Sequence, residues 1–337
     1  MPLTGSIIEL LTAPNPALDL RYQPTGAVTQ SVRYEPLEED CLLNWPDFTY
    51  ENIKAAYGHL FDIGPIASDA IQDLRGSPGM IVKEAHVDDV VVVWNWQICR
   101  FPLKRGAERV LADLGLEQLE LTMRHLGQES KDPRSDAKPK SPDWCIFLWD
   151  PRDPADESQT ITVWGDSKCS SKWRSDKDLL PSRFKSNWIW PFRQVLTYCV
   201  SNATRYGYIL TPDEVVVLRV HEDRSTPTKP WRIQYASVPW ANSGEGVLTV
   251  NLAIWALAMM SLNEGHRPIR TLDHTLPLNV WWVDPSQSQR GTPTYEHHLS
   301  GARVSKAPVG LDARSRPDTI PGFDQGSGQR RAKRSRR

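Results

Sequence analysis

The chain has 337 residues, room for one large domain or two small ones, and a formal net charge of −1 that excludes a polycation. Its hydrophobic share of 39% lies below the ordinary value of about 45–50%, so a real core with substantial loops or tails is expected. The five cysteines (Cys41, Cys99, Cys145, Cys169, Cys199) are odd in number and form no C-x-x-C pair, which argues against a disulfide scaffold or a zinc ribbon and suits a reducing intracellular compartment.

In chain order, residues 1–48 are rich in proline and turn formers and read as an irregular N-terminal segment, with no signal peptide. Residues 49–64 read as a helix. The β-branched, aromatic run 88–101 (DDVVVVWNWQICRF) reads as a strand. Residues 106–127 read as a helix, with Leu116, Leu119, Met123 and Leu126 on one face. A polar linker over 128–142 follows. Strands are expected at 143–149 and 160–168, separated by a loop with two prolines and four acids. A helix from about Pro191 to Arg205 comes next, since proline suits a first turn. Residues 206–220 read as a hairpin turning at Thr-Pro-Asp-Glu, and 231–240 as a further strand. The longest apolar run, 247–262, falls short of the roughly 20 residues of a membrane span and reads as a buried helix. Residues 284–337 lose periodicity and read as a disordered basic tail, leaving 49–283 as a single globular domain.

The chemistry concentrates in the middle. Asp166 and Lys168 are two residues apart, so on a strand they share a face. A carboxylate there can ligate a hard cation, and an ammonium beside it can orient water or steady a phosphoryl oxygen. Asp143, from the neighbouring strand, would add a second carboxylate. Gln194 and Tyr198, at i and i+4, share a helix face that can reach the same cleft. Taken singly, the same residues also suit a strand-end ion pair, a turn cap and a packed tyrosine.

Together, Pro142-Asp143, Asp166-Ser167-Lys168 and the Q-x-x-x-Y spacing of Gln194 and Tyr198 resemble the PD-(D/E)XK nuclease superfamily. The last element is similar to the motif of its recombination-associated exonucleases. The flanking sequence also resembles a group of filamentous-fungal proteins. Over about 106–220 the resemblance implies an α/β (α+β), restriction-endonuclease-like core: a central mixed sheet flanked by helices. It further implies hydrolysis of phosphodiester bonds, with Mg²⁺ or Mn²⁺ held by Asp143, Asp166 and an acid on the preceding helix. Glu108, Glu117 and Glu120 are the candidates for that acid, and Glu120, at the edge of the apolar stripe, is preferred. The superfamily's first strand has no visible counterpart in 128–142. Because superfamily members lose metal ligands while keeping the scaffold, the alternative is a catalytically inactive binding module for nucleic acid or protein.

Charge placement points the same way. From 168 to 205 there are eight bases against two acids, a balance of +6 (8 − 2), interleaved with Trp173, Phe184, Trp188 and Trp190. Lys172, Arg174, Lys185 and Arg193 are the expected phosphate contacts, with DNA favoured over RNA. The terminal QRRAKRSRR points to nuclear import or non-specific nucleic-acid contact, and no membrane association is expected. A solvated loop with tryptophan anchors is the competing reading of the basic segment.

Overall fold

The computed structural model describes residues 3–21, 26–70, 74, 79–126, 142–153, 159–284, 293–306 and 312–315. Its strands are β1 (Leu3–Gly5), β2 (Leu42–Asn44), β3 (Ile66–Ser68), β4 (Glu120–His125), β5 (Trp144–Trp149), β6 (Thr160–Ser167), β7 (Tyr206–Leu210), β8 (Glu214–Glu222), β9 (Trp231–Pro239), β10 (Arg270–Thr271), β11 (Val280–Asp284), β12 (Thr294–His297), β13 (Arg303–Val304) and β14 (Asp312–Ser315). Its helices are α1 (Ile7–Leu11), α2 (Tyr50–Tyr57), α3 (Glu84–Val90), α4 (Trp96–Asp113), α5 (Ser182–Lys185), α6 (Trp190–Ser201) and α7 (Val250–Ser261).

One mixed eight-stranded sheet organises the chain, in the order β2-β9-β8-β7-β6-β5-β4, with β10 added beside β8. β4, β5 and β6 form an antiparallel meander, and α6 then carries the chain over to β7, which runs parallel to β6. The central strands β5 to β8 are buried on both faces. Val215 and Val217 of β8 enter one apolar core, while Val216, Leu218 and Val220 enter the other, as a period of two requires. The first core holds α1, α2, α4 and α7; the second holds α6 with parts of the segment 28–41. α6 approaches β7 so closely that a Cβ on Gly207 would stand 2.5 Å from Val195 Cγ1.

The region 88–113 differs from the strand expected at 88–101. From Glu84 to Asp113 the backbone is helical without a break: α3, then a π-turn at Val91–Asn95, then α4. The valines that raise strand propensity are buried at Val87, Val90 and Val91, alongside Trp94, Ile98 and Cys99. Burial over this length outweighs the small intrinsic cost of β-branched residues in a helix.

The helix expected over 106–127 ends at Asp113. Gly115 sits at φ +73°, and the chain resumes as β4. β4 is the strand that sequence could not locate before Pro142, and its Leu121 and Met123 alternate inward as a strand's do. The N-terminal region is not irregular throughout: α1 carries a Ser6/Glu9 capping box, and β2 pairs with β9. The expected tail likewise contains structure in its described part, with β12, β13 and β14 joining β11 in a four-stranded sheet. The expected linker over 128–142, apart from Pro142, and the basic terminus from 316 lie outside the described residues. No helix among the described residues is long and apolar enough to cross a membrane. All five cysteines are buried thiols.

Candidate functional site

The start of β5, the end of β6, the start of α3 and the middle of α6 meet at one end of the inner strands of the main sheet. Asp166 and Lys168 do share a face. Lys168 Nζ binds Asp166 Oδ2 directly, and both side chains are buried, at 1% and 4% exposure. Lys168 Nζ also donates to Ser167 O at 3.0 Å. Asp143, just before β5, accepts the Ser167 amide at 2.8 Å, so the second carboxylate is held against the residue between Asp166 and Lys168. On α6, Gln194 Nε2 donates to Asp166 Oδ1 at 2.9 Å and stands 2.8 Å from Tyr198 OH. The five residues picked out by sequence therefore form one connected group.

Glu120 is not part of it. It opens β4, is exposed, and faces Trp149 across β4–β5, whereas the site lies at the Trp144 end of that pair. Five residues of strand separate the two ends, about 16 Å. Glu108 is exposed on α4, where it pairs with Arg105 at 3.2 Å.

Two acids from a helix do reach the group, Glu84 and Asp88, one turn apart at the start of α3. Glu84 Oε1 is 3.2 Å from Lys168 Nζ, and its Oε2 is 2.9 Å from Lys172 Nζ. Asp88 accepts from Trp144 Nε1 at 3.3 Å and lies 3.9 Å from His125 Nε2. The signal was present as acids at i and i+4 in EAHVDD ahead of a buried stripe, but the strand reading of 88–101 concealed it. Sequence reasoning also missed Tyr34. Its ring packs against Trp190 at 6.3 Å, and its buried hydroxyl has no hydrogen-bond partner among the described residues. The neighbouring chain is fastened to α6, where Glu35 N donates to Thr197 Oγ1 at 2.8 Å.

The electrostatics follow from four buried or half-buried carboxylates around two lysines. Burial, with the charge of Asp143, pushes Asp88 up to about 7. Burial likewise raises Asp166; Lys168 opposes this, while Asp143 and Glu84 add to it. For Lys168, burial acts against the charged form but is outweighed by Asp166, Glu84 and Asp143, so the ammonium is held charged. Burial also works against the Glu84 carboxylate, yet Lys168 and Lys172 bring it below its usual range.

The donor set is oxygen-rich and suits a hard divalent cation in kind. Gln194 Oε1 adds a buried acceptor with no partner among the described residues. Among those residues, however, no three carboxylate, imidazole or thiol groups close on a common point.

The expected basic surface is largely spent on internal pairs. Lys172 serves Glu84, Arg174 Nη2 is 2.7 Å from Asp213, and Lys185 is 2.9 Å from Asp178. Arg193 donates to Leu37 O at 2.9 and 2.7 Å. Trp173 and Trp188 are buried in the second core, Phe184 is buried as well, and none of the three offers an open ring for a base to stack on. No protein-family model, no curated protein and no solved structure matches the chain.

Proposed function

We propose that the chain is a metal-dependent, nuclease-like protein that hydrolyses phosphodiester bonds of nucleic acid, with the cluster at the end of β6 as its site. The observation that carries this reading is the meeting of Asp143, Asp166 and Lys168 with Glu84 and Asp88 on the preceding helix and with Gln194 and Tyr198 on the following one. The element order supports it: a helix bearing acids, the β4–β5–β6 meander, the α6 crossover and parallel β7 follow the order that the PD-(D/E)XK resemblance implies.

In this reading Asp143 and Asp166, with Glu84 or Asp88, would hold Mg²⁺ or Mn²⁺. When bound, such an ion neutralises charge on a scissile phosphate and lowers the pKa of a water. Lys168 positions water or a phosphate oxygen through its ammonium. Gln194 fixes the Asp166 carboxylate by donating to Oδ1, and Tyr198 supports Gln194. DNA as the substrate and a nuclear, intracellular setting belong to the same proposal.

A specific observation favours a second reading, an inactive nuclease-derived binding module. Both Asp166 oxygens are already engaged, by Gln194 and Lys168, and the pair is almost fully buried.

Cleavage of plasmid, single-stranded DNA and RNA by full-length protein in Mg²⁺ or Mn²⁺ separates the two. The nuclease reading expects cutting that Asp166→Ala and Glu84→Ala reduce by roughly 10²–10³, while Glu120→Ala leaves it intact. No cutting by the wild type, or equal cutting by Asp166→Ala, removes that reading. Salt-dependent binding without cleavage supports the module.

A further inference from the structure

At the opposite end of the strands that carry the β6 cluster lies a group of buried basic side chains that phosphodiester hydrolysis there does not use. Arg205 immediately precedes β7. Arg219 and His221 alternate on β8, and Arg270 opens β10. All four are buried, with Arg205 at 2% exposure and Arg219 at 3%.

Backbone pairing gathers them. Arg205 O accepts Val220 N at 2.8 Å, Arg219 faces Tyr206 across β7–β8, and Arg270 faces His221 across β8–β10. The Arg205 guanidinium lies 5.3 Å from the Tyr206 ring centroid, so it folds onto the side of the sheet where Arg219 stands.

Arg205 and Arg219 have few charged partners. Arg219 gives Nε and Nη2 to Gln234 Oε1, at 3.1 and 2.8 Å, and Nη1 to Leu276 O at 3.4 Å, all neutral acceptors, and it sits over the Trp45 ring at 4.4 Å. The same Gln234 oxygen is 2.8 Å from His221 Nε2, so one neutral acceptor is shared by Arg219 and the imidazole. The carboxylate beside Arg219, Asp47, stands 3.9 Å away and also takes the Leu278 amide. Arg205 has still less. Its Nε and Nη1 are buried, and neither has a hydrogen-bond partner among the described residues. Burial, and after it the charge of Arg205, lowers Arg219 to about 10 and His266 to about 3. A buried cation with unused donors is costly, and the direct remedy is an anion.

We propose that Arg205, Arg219 and Arg270 form a binding site for a phosphate dianion, either inorganic phosphate or the terminal group of a small phosphate monoester. Guanidinium forks present paired N–H groups to two oxygens, and several of them around one tetrahedral oxyanion satisfy its charge as well as its lone pairs. The site stands apart from the β6 cluster and does not depend on the nuclease reading.

Calorimetry and thermal unfolding of the full-length chain test it, with sodium phosphate compared against sodium chloride at matched ionic strength. Saturable binding is expected, raising Tm by about 4 °C at a hundredfold excess over Kd. In Arg205→Met the affinity should fall at least tenfold, while the anion-free protein melts no lower than wild type. The general salting effect of phosphate persists in this variant, so the difference between the two proteins isolates the site. Should Arg205→Met not fold, Arg205→Lys keeps the charge but loses the fork and should still bind more weakly. Adenosine 5′-monophosphate, with adenosine as control, distinguishes the sources: tighter binding than phosphate assigns the site to a monoester, and equal binding to the free ion. Equal Tm in phosphate and chloride, or undiminished affinity in the variant that folds, overturns the proposal.

Discussion

Replacing Lys168 by Met removes the one ammonium that touches Asp166 and leaves Asp166, Glu84, Asp88 and Asp143 with Lys172 as their nearest cation. Lys168 is 4% exposed, touches Asp166 and lies 3.2 Å from Glu84. At an effective dielectric of about 20, a unit pair at that distance attracts by about 5 kcal/mol, and the lysine's own desolvation offsets part of this. A net loss of about 3–5 kcal/mol is expected, the range for stripping one partner from a buried pair. Urea unfolding at pH 8 and pH 6 reads it. Asp88 already sits at about 7 and Asp166 is raised, and the loss of Lys168 raises both further. A carboxyl whose folded pKa lies above its unfolded value lends stability while protonated and loses it as pH rises through the folded pKa. The Lys168→Met deficit should therefore be large at pH 8 and shrink at pH 6. Adding Asp166→Asn should recover most of it. A variant as stable as wild type at pH 8, or a deficit independent of pH, refutes the claim that Lys168 neutralises this cluster.

Three further outcomes follow from packing and burial. Gly165→Ala places a methyl against the buried Tyr208 ring, about 2.7 Å from Cε2, and should cost about 1–3 kcal/mol in chemical denaturation; an unchanged midpoint would show that the ring can step aside. His266 is depressed to about 3 by burial and by Arg205, so its contribution is complete above the unfolded pKa near 6.5 and is lost as pH falls below it. His266→Gln should accordingly flatten the acid limb of stability by about 1.4 kcal/mol per pH unit between pH 6 and 5, and parallel limbs for the two proteins would exclude this. The buried Glu214 carboxylate accepts from Ser175 N and Oγ, at 2.6 and 2.5 Å, and from Ser237 Oγ. Glu214→Leu should speed amide hydrogen exchange around Ser175 by tenfold or more, since each charged hydrogen bond is worth about 1.5–3 kcal/mol.

How much could be read in advance depended on whether local pattern and tertiary burial agreed. β5, β6, α6, the β7–β8 hairpin and α7 fell within a few residues of their expected places, because an alternating or continuous apolar run is bounded there by Pro, Gly or charged turns. The pair Asp166 and Lys168 and the spacing of Gln194 and Tyr198 were legible for the same reason: each sits on an element whose periodicity fixes which side chains share a face. Glu84 and Asp88 were not, because Val90–Val93 carry strand propensity and only burial against the first core makes that segment helical. Leu116, Leu119, Met123 and Leu126 misled in the opposite sense. Spacings of three and four satisfy a helix, yet the chain turns at Gly115 and reuses Leu121 and Met123 at a period of two. The +6 segment was counted correctly, but its carboxylate partners, Glu84, Asp213 and Glu39, come from distant parts of the sequence. The Arg205 group was invisible to charge counting, since only the β7–β8–β10 register brings it together.

The π-turn at Val91–Asn95 has a bearing on how the site and the core can vary. A π-turn takes one more residue than an α-turn to complete the same hydrogen-bonded loop, so it offsets the helical phase on its two sides by about one residue, or 100°. Upstream of it, Glu84 faces Lys168; downstream, Gly106 and Val110 face the interior of the first core. The two stretches are thus set at independent angles although they belong to one unbroken helix. The loss of a single residue between 91 and 95 would leave both sequences untouched and swing the acids off their lysine. The extra residue works as a rotary coupling: it lets the acid-bearing turn be aimed without repacking the hydrophobic length behind it.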